Sequence, residues 1–313
     1  MCASCLSPYR RPCDGAVNAP DATDVFVAHR NLLFTVAYEM LGSAADAEDV
    51  LQETWLRWAD AMERLGVEEV REPRAYLVRI ATRLALNRIR TLSRRRETYV
   101  GPWLPEPLLT SPDVAEDVEL ADSVSTAMLL VLETLTPTER AVFVLRDVFA
   151  MPYDEIAAAV DKTQAAVRQI AHRARSHVDA RRPREVVGSA ERSAVIERFM
   201  SAVATGDLQS LMDVLAPDVV LITDGGGVKK AALHPIKGVE KVLRFLIAVT
   251  PEDTDNRAEP VMVNGHLGLR LLLDEELDTI ATMRIDGDKV TGLYFVRNPH
   301  KLGRVDTEVS LSR

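Results

Sequence analysis

Cysteine is scarce in this chain of 313 residues: Cys2, Cys5 and Cys13 are the only three, all within the first thirteen positions. A disulfide framework for any later domain is therefore excluded. Cys2 and Cys5 have the spacing of half a metal knuckle, but no second Cys or His pair follows nearby, so no metal and no cofactor is expected. Long apolar runs are missing as well. None reaches the roughly 18 residues that a membrane span needs, so no membrane partner is expected. Residues 1–22 lack the apolar centre of a signal peptide; they read as a flexible extension of a cytoplasmic protein. Positive charge is in overall deficit, with a net of -9.

That total conceals the distribution. Residues 71–100 hold nine Arg against two Glu, and residues 165–184 hold six Arg against one Asp. Between them, residues 105–122 carry six acids and no base. Basic patches parted by an acidic spacer suggest modular, self-restrained binding of a polyanion.

The chain has room for two or three domains. Helical periodicity runs over residues 23–42 and stops at Gly42. Ser43 then caps "AADAEDVLQETWLRWADAM", whose apolar stripe is Val50, Leu51, Trp55, Trp58 and Met62. Asp46, Asp49, Gln52 and Glu53 crowd its polar side. Pro73 opens a third long helix, "PRAYLVRIATRLALNRIRTLSRRRE". With four prolines, "GPWLPEPLLTSP" reads as a linker, which extends over residues 101–125. Residues 113–135 resume helical character. "TPTERAVFVLRDVF" then carries a full start signal, with Thr136 as N-cap, Pro137 in the first turn and Glu139 closing a capping box. From about residue 187 short strands replace long helices, with a hairpin expected at "DTIATMRIDGDKVTGLYFVRN". The expected layout is a multidomain chain: all-α units at 23–100 and 126–184, then an α+β unit at 187–313.

In the second unit, "YDEIAAAV", the turn Asp161-Lys162-Thr163 and a helix from Gln164 have the proportions of a helix-turn-helix. Val167, Ile170, Ala171, Ala174 and Val178 would pack inward. Arg168, Gln169, His172 and Arg173 would face out, able to donate to phosphates and base edges in a major groove. The basic helix at 74–96 differs in kind. Its stripe is Tyr76, Leu77, Ile80, Leu84 and Ile89, while Arg79, Arg83, Asn87, Arg88 and Arg90 project elsewhere and Arg94-Arg95-Arg96 extend the charge. Arginine pairs with phosphate, and asparagine and aromatic rings suit an unstacked base.

Four motifs in order, "DAEDVLQETWLRW", "PRAYLVRIATRLALNRIR", "LTPTERAVFVLRDVFAMPYDEIAAAV" and "AAVRQIAHRAR", resemble the two domains of extracytoplasmic-function (ECF) sigma factors. The resemblance covers roughly residues 23–100 and 126–180. It implies a sigma2 helical bundle and a sigma4 helix-turn-helix, no catalysis, and two partners, core RNA polymerase and promoter DNA. Asp46, Asp49, Gln52 and Glu53 would dock on the β′ clamp helices of the polymerase, and the sigma4 unit on its β flap. Tyr76, Arg83, Asn87, Arg88 and Arg90 would serve the −10 element; Arg168, Gln169, His172 and Arg173 would read the −35 element. One departure is Asp161, where the family usually has Gly; Asp tolerates the left-handed geometry of such a turn.

"ATGDLQSLMDVLAPDVVLITDGGG" resembles the start of the SnoaL-like (NTF2-like) fold, in which helices pack on a curved sheet to form a cone with a pocket. "WLPEP" (103–107), "DGGG" before Lys229, and "NPHKL" (298–302) match the sigma factors that carry such a domain. Val228 separates the glycines from the lysine, and His300 replaces an expected Asp. The resemblance implies a regulatory contact of Trp103, Leu104 and Pro105 with Asp224, Gly225, Gly226, Gly227, Asn298 and Pro299. Other readings stay open at this point: a small ligand in the C-terminal pocket, an enzyme with Asp224 as general base and His234 or His266 nearby, or a ligand-gated helix-turn-helix repressor.

Overall fold

The computed structural model describes residues 21–66, 69–111, 114–115, 117–181, 188–249 and 256–313; the three cysteines and the expected break at "RRPRE" beyond Arg181 lie outside them. Helix α1 (Ala22–Leu41) starts with a capping box from Asp21 and ends at Gly42, whose φ of 66° is left-handed. Ser43 caps α2 (Ala44–Leu65) by accepting from the Asp46 N–H. Helix α3 (Pro73–Arg96) completes the first unit. Trp58, fully buried between these helices, donates its indole N–H to the Ala22 carbonyl at 2.7 Å.

The helical stretch read over 113–135 is two helices in the structure, α4 (Val118–Val124) and α5 (Thr126–Glu133). Ser125 breaks it: its backbone is extended at ψ 145°, and its hydroxyl accepts from the Met128 N–H, which a continuous helix would have bonded internally. Helix α6 (Pro137–Phe143) opens with the expected capping box and continues into one π-helical turn, Val144–Val148. Helices α7 (Tyr153–Val160) and α8 (Gln164–Asp179) follow. The two helical units do not sit apart. Leu33, Leu77, Leu129, Val142 and Val167 belong to one continuous apolar core.

In the C-terminal unit, α9 (Ser189–Thr205) and α10 (Leu208–Val214) precede β2 (Leu215–Asp224), β3 (Ile236–Lys237) and α11 (Val239–Val249). Strands β4 (Asn256–Val263), β5 (His266–Leu273), β6 (Glu276–Asp286) and β7 (Lys289–Val296) form a meander, with the β6–β7 hairpin where the sequence indicates. A short α12 (Pro299–Leu302) and β8 (Glu308–Val309) end the fold. Phe199 and Val242 from the helices meet Val219, Leu221 and Leu293 of the sheet in a second core.

The linker supplies a strand that sequence reading leaves out. Strand β1 (Leu109–Thr110) pairs with β4 at Leu109–Val263 and runs parallel to β8, giving the sheet order β3-β2-β7-β6-β5-β4-β1-β8. Two residues have no alternation to detect. The last residues then return to the first unit: Leu311 is buried in the helical core, and the Ser312 N–H donates to Thr35 Oγ1 at 3.2 Å. Arg313 pairs with Asp117 and Glu119.

Candidate nucleic-acid interface and linker clamp

The turn before α8 behaves as its residues suggest. Asp161 holds the left-handed position at φ 56°, and the Thr163 hydroxyl accepts from the Ala166 N–H. Val167, Ala171, Ala174 and Val178 are buried and Ile170 half-buried, which leaves Arg168, Gln169, His172 and Arg173 exposed on one face. Two of the four are pre-oriented. The Arg168 guanidinium lies 5.4 Å from the centre of the Tyr153 ring, and Arg173 Nε is 3.7 Å from Glu139 Oε1.

On α2 and α3, residues expected to serve different partners meet in one ion cluster. Arg88 donates from Nε to Asp46 Oδ1 at 2.7 Å and from Nη2 to Asp49 Oδ2 at 2.5 Å. Gln52 and Glu53 are exposed, with Glu53 held by Arg57 one turn on, at 2.6 Å. Asn87 accepts from Arg90 at 3.1 Å. Arg83 reaches across to the second unit, donating to the carbonyls of Ala158 (2.9 Å) and Ala159 (3.4 Å) at the end of α7. Tyr76 is half-buried, its ring 5.7 Å from that of Trp58 and 4.9 Å from the Arg79 guanidinium. Asp49, Glu53, Asn87 and Arg88 border an open groove of about 450 Å³, into which Leu56 also faces. Leu56 is 65% exposed. Its signal in the sequence was an isolated leucine among charges on the polar side of α2.

The C-terminal unit grips the linker through Asp224, which is fully buried at the end of β2. Its carboxylate accepts from the Tyr99 hydroxyl (2.5 Å), the Leu104 N–H (2.8 Å), Lys301 Nζ (2.7 Å) and the Gly226 N–H (3.1 Å). Burial, and then the Asp224 carboxylate, push the Tyr99 phenol above its ordinary range. The Lys301 ammonium also lies 4.3 Å from the Trp103 ring and 5.0 Å from the Tyr99 ring. Asn298 caps α12 and donates to the Tyr99 hydroxyl at 2.8 Å. Pro105 is buried in the linker, while Pro299 is exposed at the first turn of α12.

Of the three glycines, only Gly227 faces the linker, where an added Cβ would come within 3.1 Å of Val100. Gly225 serves its own loop, where an added carbon would meet the Lys229 carbonyl at 2.2 Å, and Gly226 makes room for the Asn298 amide, also at 2.2 Å. Trp103 in turn packs on Gly42, whose added Cβ would lie 2.7 Å from the indole. A carboxylate so fully committed orders a linker rather than taking up a substrate proton. His234 is exposed, ten positions beyond Asp224, and His266 lies elsewhere, against α4.

Four further residues of this joint escape a sequence reading. Glu106 accepts from the Ser43 hydroxyl (3.0 Å) and the N–H groups of Ala44 (2.7 Å) and Ala45 (3.2 Å), so a linker carboxylate caps α2. Asn264, buried at φ 52° in the β4–β5 turn, donates to the Tyr38 hydroxyl and the Val124 carbonyl and accepts from the Leu108 N–H. Arg140, buried in the second unit, donates to the Met40 carbonyl at the end of α1 at 2.8 Å. Glu39 of α1 is fully buried and accepts from the Ser123 hydroxyl at 2.7 Å, while its other oxygen has no hydrogen-bond partner.

Burial pushes the Glu39 carboxyl up to about 8, partly opposed by Ser123. Below the ordinary carboxylate range both folded and unfolded chains are protonated there. As pH rises towards 8 only the unfolded chain releases the proton, so stability falls by about 1.4 kcal/mol per pH unit through that window. Glu39→Gln is expected to raise the thermal midpoint at pH 7.5 and flatten its dependence between pH 5 and 8. Thermal unfolding across that range measures it, and parallel curves for both proteins would contradict it.

Among the described residues no helix is long and apolar enough to cross a membrane. Residues 25–95 match the family model of sigma-70 region 2, and residues 125–178 match that of sigma-70 region 4. The chain is 36% identical to the ECF RNA polymerase sigma factor SigJ of Mycobacterium tuberculosis, over 88% of this chain and 91% of that one. It is 30% identical to the probable ECF RNA polymerase sigma factor SigI of the same organism, over 90% and 95% of the two chains. The crystal structure of M. tuberculosis SigJ superposes with a TM-score of 0.73, covering 90% of this chain and 99% of that one. With the helix-turn-helix, the acidic α2 and the linker clamp all in place, the chain belongs to the ECF RNA polymerase sigma factors.

Proposed function

We propose that this protein is a promoter-specificity subunit: it binds core RNA polymerase in the cytoplasm, directs it to −35 and −10 elements, and is regulated by its own C-terminal domain. The observation that carries the regulatory part is the linker clamp centred on Asp224. In the packed form Arg88 is paired with Asp46 and Asp49, and Arg83 is spent on α7. A nucleic acid or a polymerase surface would have to replace those internal partners.

Geometry adds a second argument. Elements some 25 positions apart lie on the order of 80 Å along duplex DNA, at about 3.4 Å per base pair. Here α3 packs directly on α7 through Arg83. The packed form therefore cannot span a promoter, and initiation requires the two helical units to separate. In the open form Asp46, Asp49, Gln52 and Glu53 dock on the β′ clamp helices and the sigma4 unit on the β flap. Arg168, Gln169, His172 and Arg173 read the −35 element, while Tyr76, Arg83, Asn87, Arg88 and Arg90 serve the −10 element.

Run-off transcription with core polymerase tests this reading, using the full chain and a form ending at residue 181. Both should start at the same promoter, with the truncated form differing at least severalfold in transcript yield. Equal yields would refute regulation by the C-terminal domain; no promoter-dependent transcript from the full chain would refute the sigma function.

A further inference from the structure

We infer that the seam between α5 and the sheet is a binding site for a small organic carboxylate. A cavity of about 120 Å³ lies there. Thr126 and Ala127 of α5 form one wall; Thr282 and Arg284 of β6, His266 of β5 and Arg192 of α9 form the other. Side chains alternate along a strand, so Thr282 and Arg284 lie opposite Met283 and Ile285, which are buried in the core beneath the helices. The seam also reaches Leu267, Met283 and Ile285 at the margin of that core, and its residues are not those of the Asp224 clamp.

Among the described residues, Arg181, Arg192 and Arg284 line the cavity together with one carboxylate, Asp122, and the His266 ring. Asp122 Oδ1 is 3.9 Å from Arg192 and 3.5 Å from His266 Nε2. That Nε2 atom is sealed from solvent and makes no hydrogen bond, since 3.5 Å to Asp122 is too long for one. Burial lowers the His266 pKa, which keeps the ring neutral and ready to donate or accept. Thr291 Oγ1 accepts from Arg284 Nε at 2.9 Å and fixes the plane of the guanidinium. A fixed guanidinium with a buried, unsatisfied imidazole suits a planar carboxylate. Met128, Val131 and Val263 offer the apolar remainder of the wall. An engineered cavity of about 150 Å³ accepts benzene, so this smaller one takes a carboxylate on a short chain, about three or four carbons in all.

The consequence rests on the function proposed above. The walls come from the sigma4 helix and from the C-terminal domain, so such a ligand binds the packed form and must oppose assembly with polymerase.

Titration calorimetry of the full-length protein tests the site, with propanoate and butanoate as probes and 1-butanol as the neutral control. At least one carboxylate should bind saturably at one site, at least tenfold more tightly than the alcohol. Arg284→Gln should weaken it at least tenfold. Ala127→Met, which fills the cavity from α5 and leaves Arg284 in place, should do the same with an unchanged thermal midpoint. The site is overturned if neither carboxylate binds, which leaves the cavity to water, if the alcohol binds equally, or if both variants bind like the parent. Saturating probe should also lower the yield of holoenzyme. Tight binding with undiminished holoenzyme would refute regulation through the packed form and leave the site standing; absent binding beside a severalfold effect of truncation would refute the site alone.

Discussion

Asp224→Ala is expected to open the molecule. Removing this carboxylate takes the Asp224 counter-charge from the Lys301 ammonium, whose side chain is only 8% exposed, and leaves the Tyr99 hydroxyl and the Leu104 N–H without their acceptor. Breaking a buried pair by deleting one partner costs about 3–5 kcal/mol, because the remaining charge stays out of water. That is comparable to the stability of many domain interfaces, so the linker should detach while each unit keeps its own core. Limited proteolysis should then cut within residues 99–111, where the parent resists, and transcript yield should move in the same direction as on truncation. Asp224→Leu combined with Lys301→Met should restore much of the protection, since removing both members leaves no orphaned charge. A single variant as protected as the parent would show that the clamp contributes little to closure.

The second large effect concerns DNA and leaves the fold untouched. Arg168 and Arg173 are exposed, and their packing partners Tyr153 and Glu139 are held by other contacts. Exposed substitutions of this kind change stability by no more than about 0.5 kcal/mol. An arginine bonded to a base edge contributes about 1–3 kcal/mol of discrimination, so the double variant Arg168→Ala/Arg173→Ala should lose at least tenfold in promoter-specific transcription. Holoenzyme assembly and the thermal midpoint should stay as in the parent. Template competition with an altered −35 element checks the assignment: a double variant that still discriminates like the parent would place readout elsewhere on α8.

The helices were legible because their signals are local. The Thr136–Glu139 capping box, the Gly42 stop, the Thr163 cap and the left-handed Asp161 each act within three or four residues, and all appear where the sequence indicates. Periodicity likewise sorted the exposed from the buried side of α8. Ser125 shows what such reading leaves undivided: helical character holds on both sides of it, while one hydroxyl diverts the backbone between them. The "WLPEP", "DGGG" and "NPHKL" stretches pointed to the joint but not to its chemistry, because none contains Tyr99, and Lys301 within the last was not singled out.

From the sequence alone come the three modules, the family, and which side chains of α8 face outward. Tertiary structure decided that those modules close on one another, that Arg88 holds Asp46 and Asp49, and that a two-residue strand stitches the linker into the sheet. The reason is range. Caps and periodicity join neighbours along the chain, whereas the Leu104–Asp224 and Tyr38–Asn264 bonds join residues 120 and 226 positions apart. A carboxylate before a run of glycines looks like an ordinary turn until the chain brings a lysine, a tyrosine and a linker amide to its two oxygens.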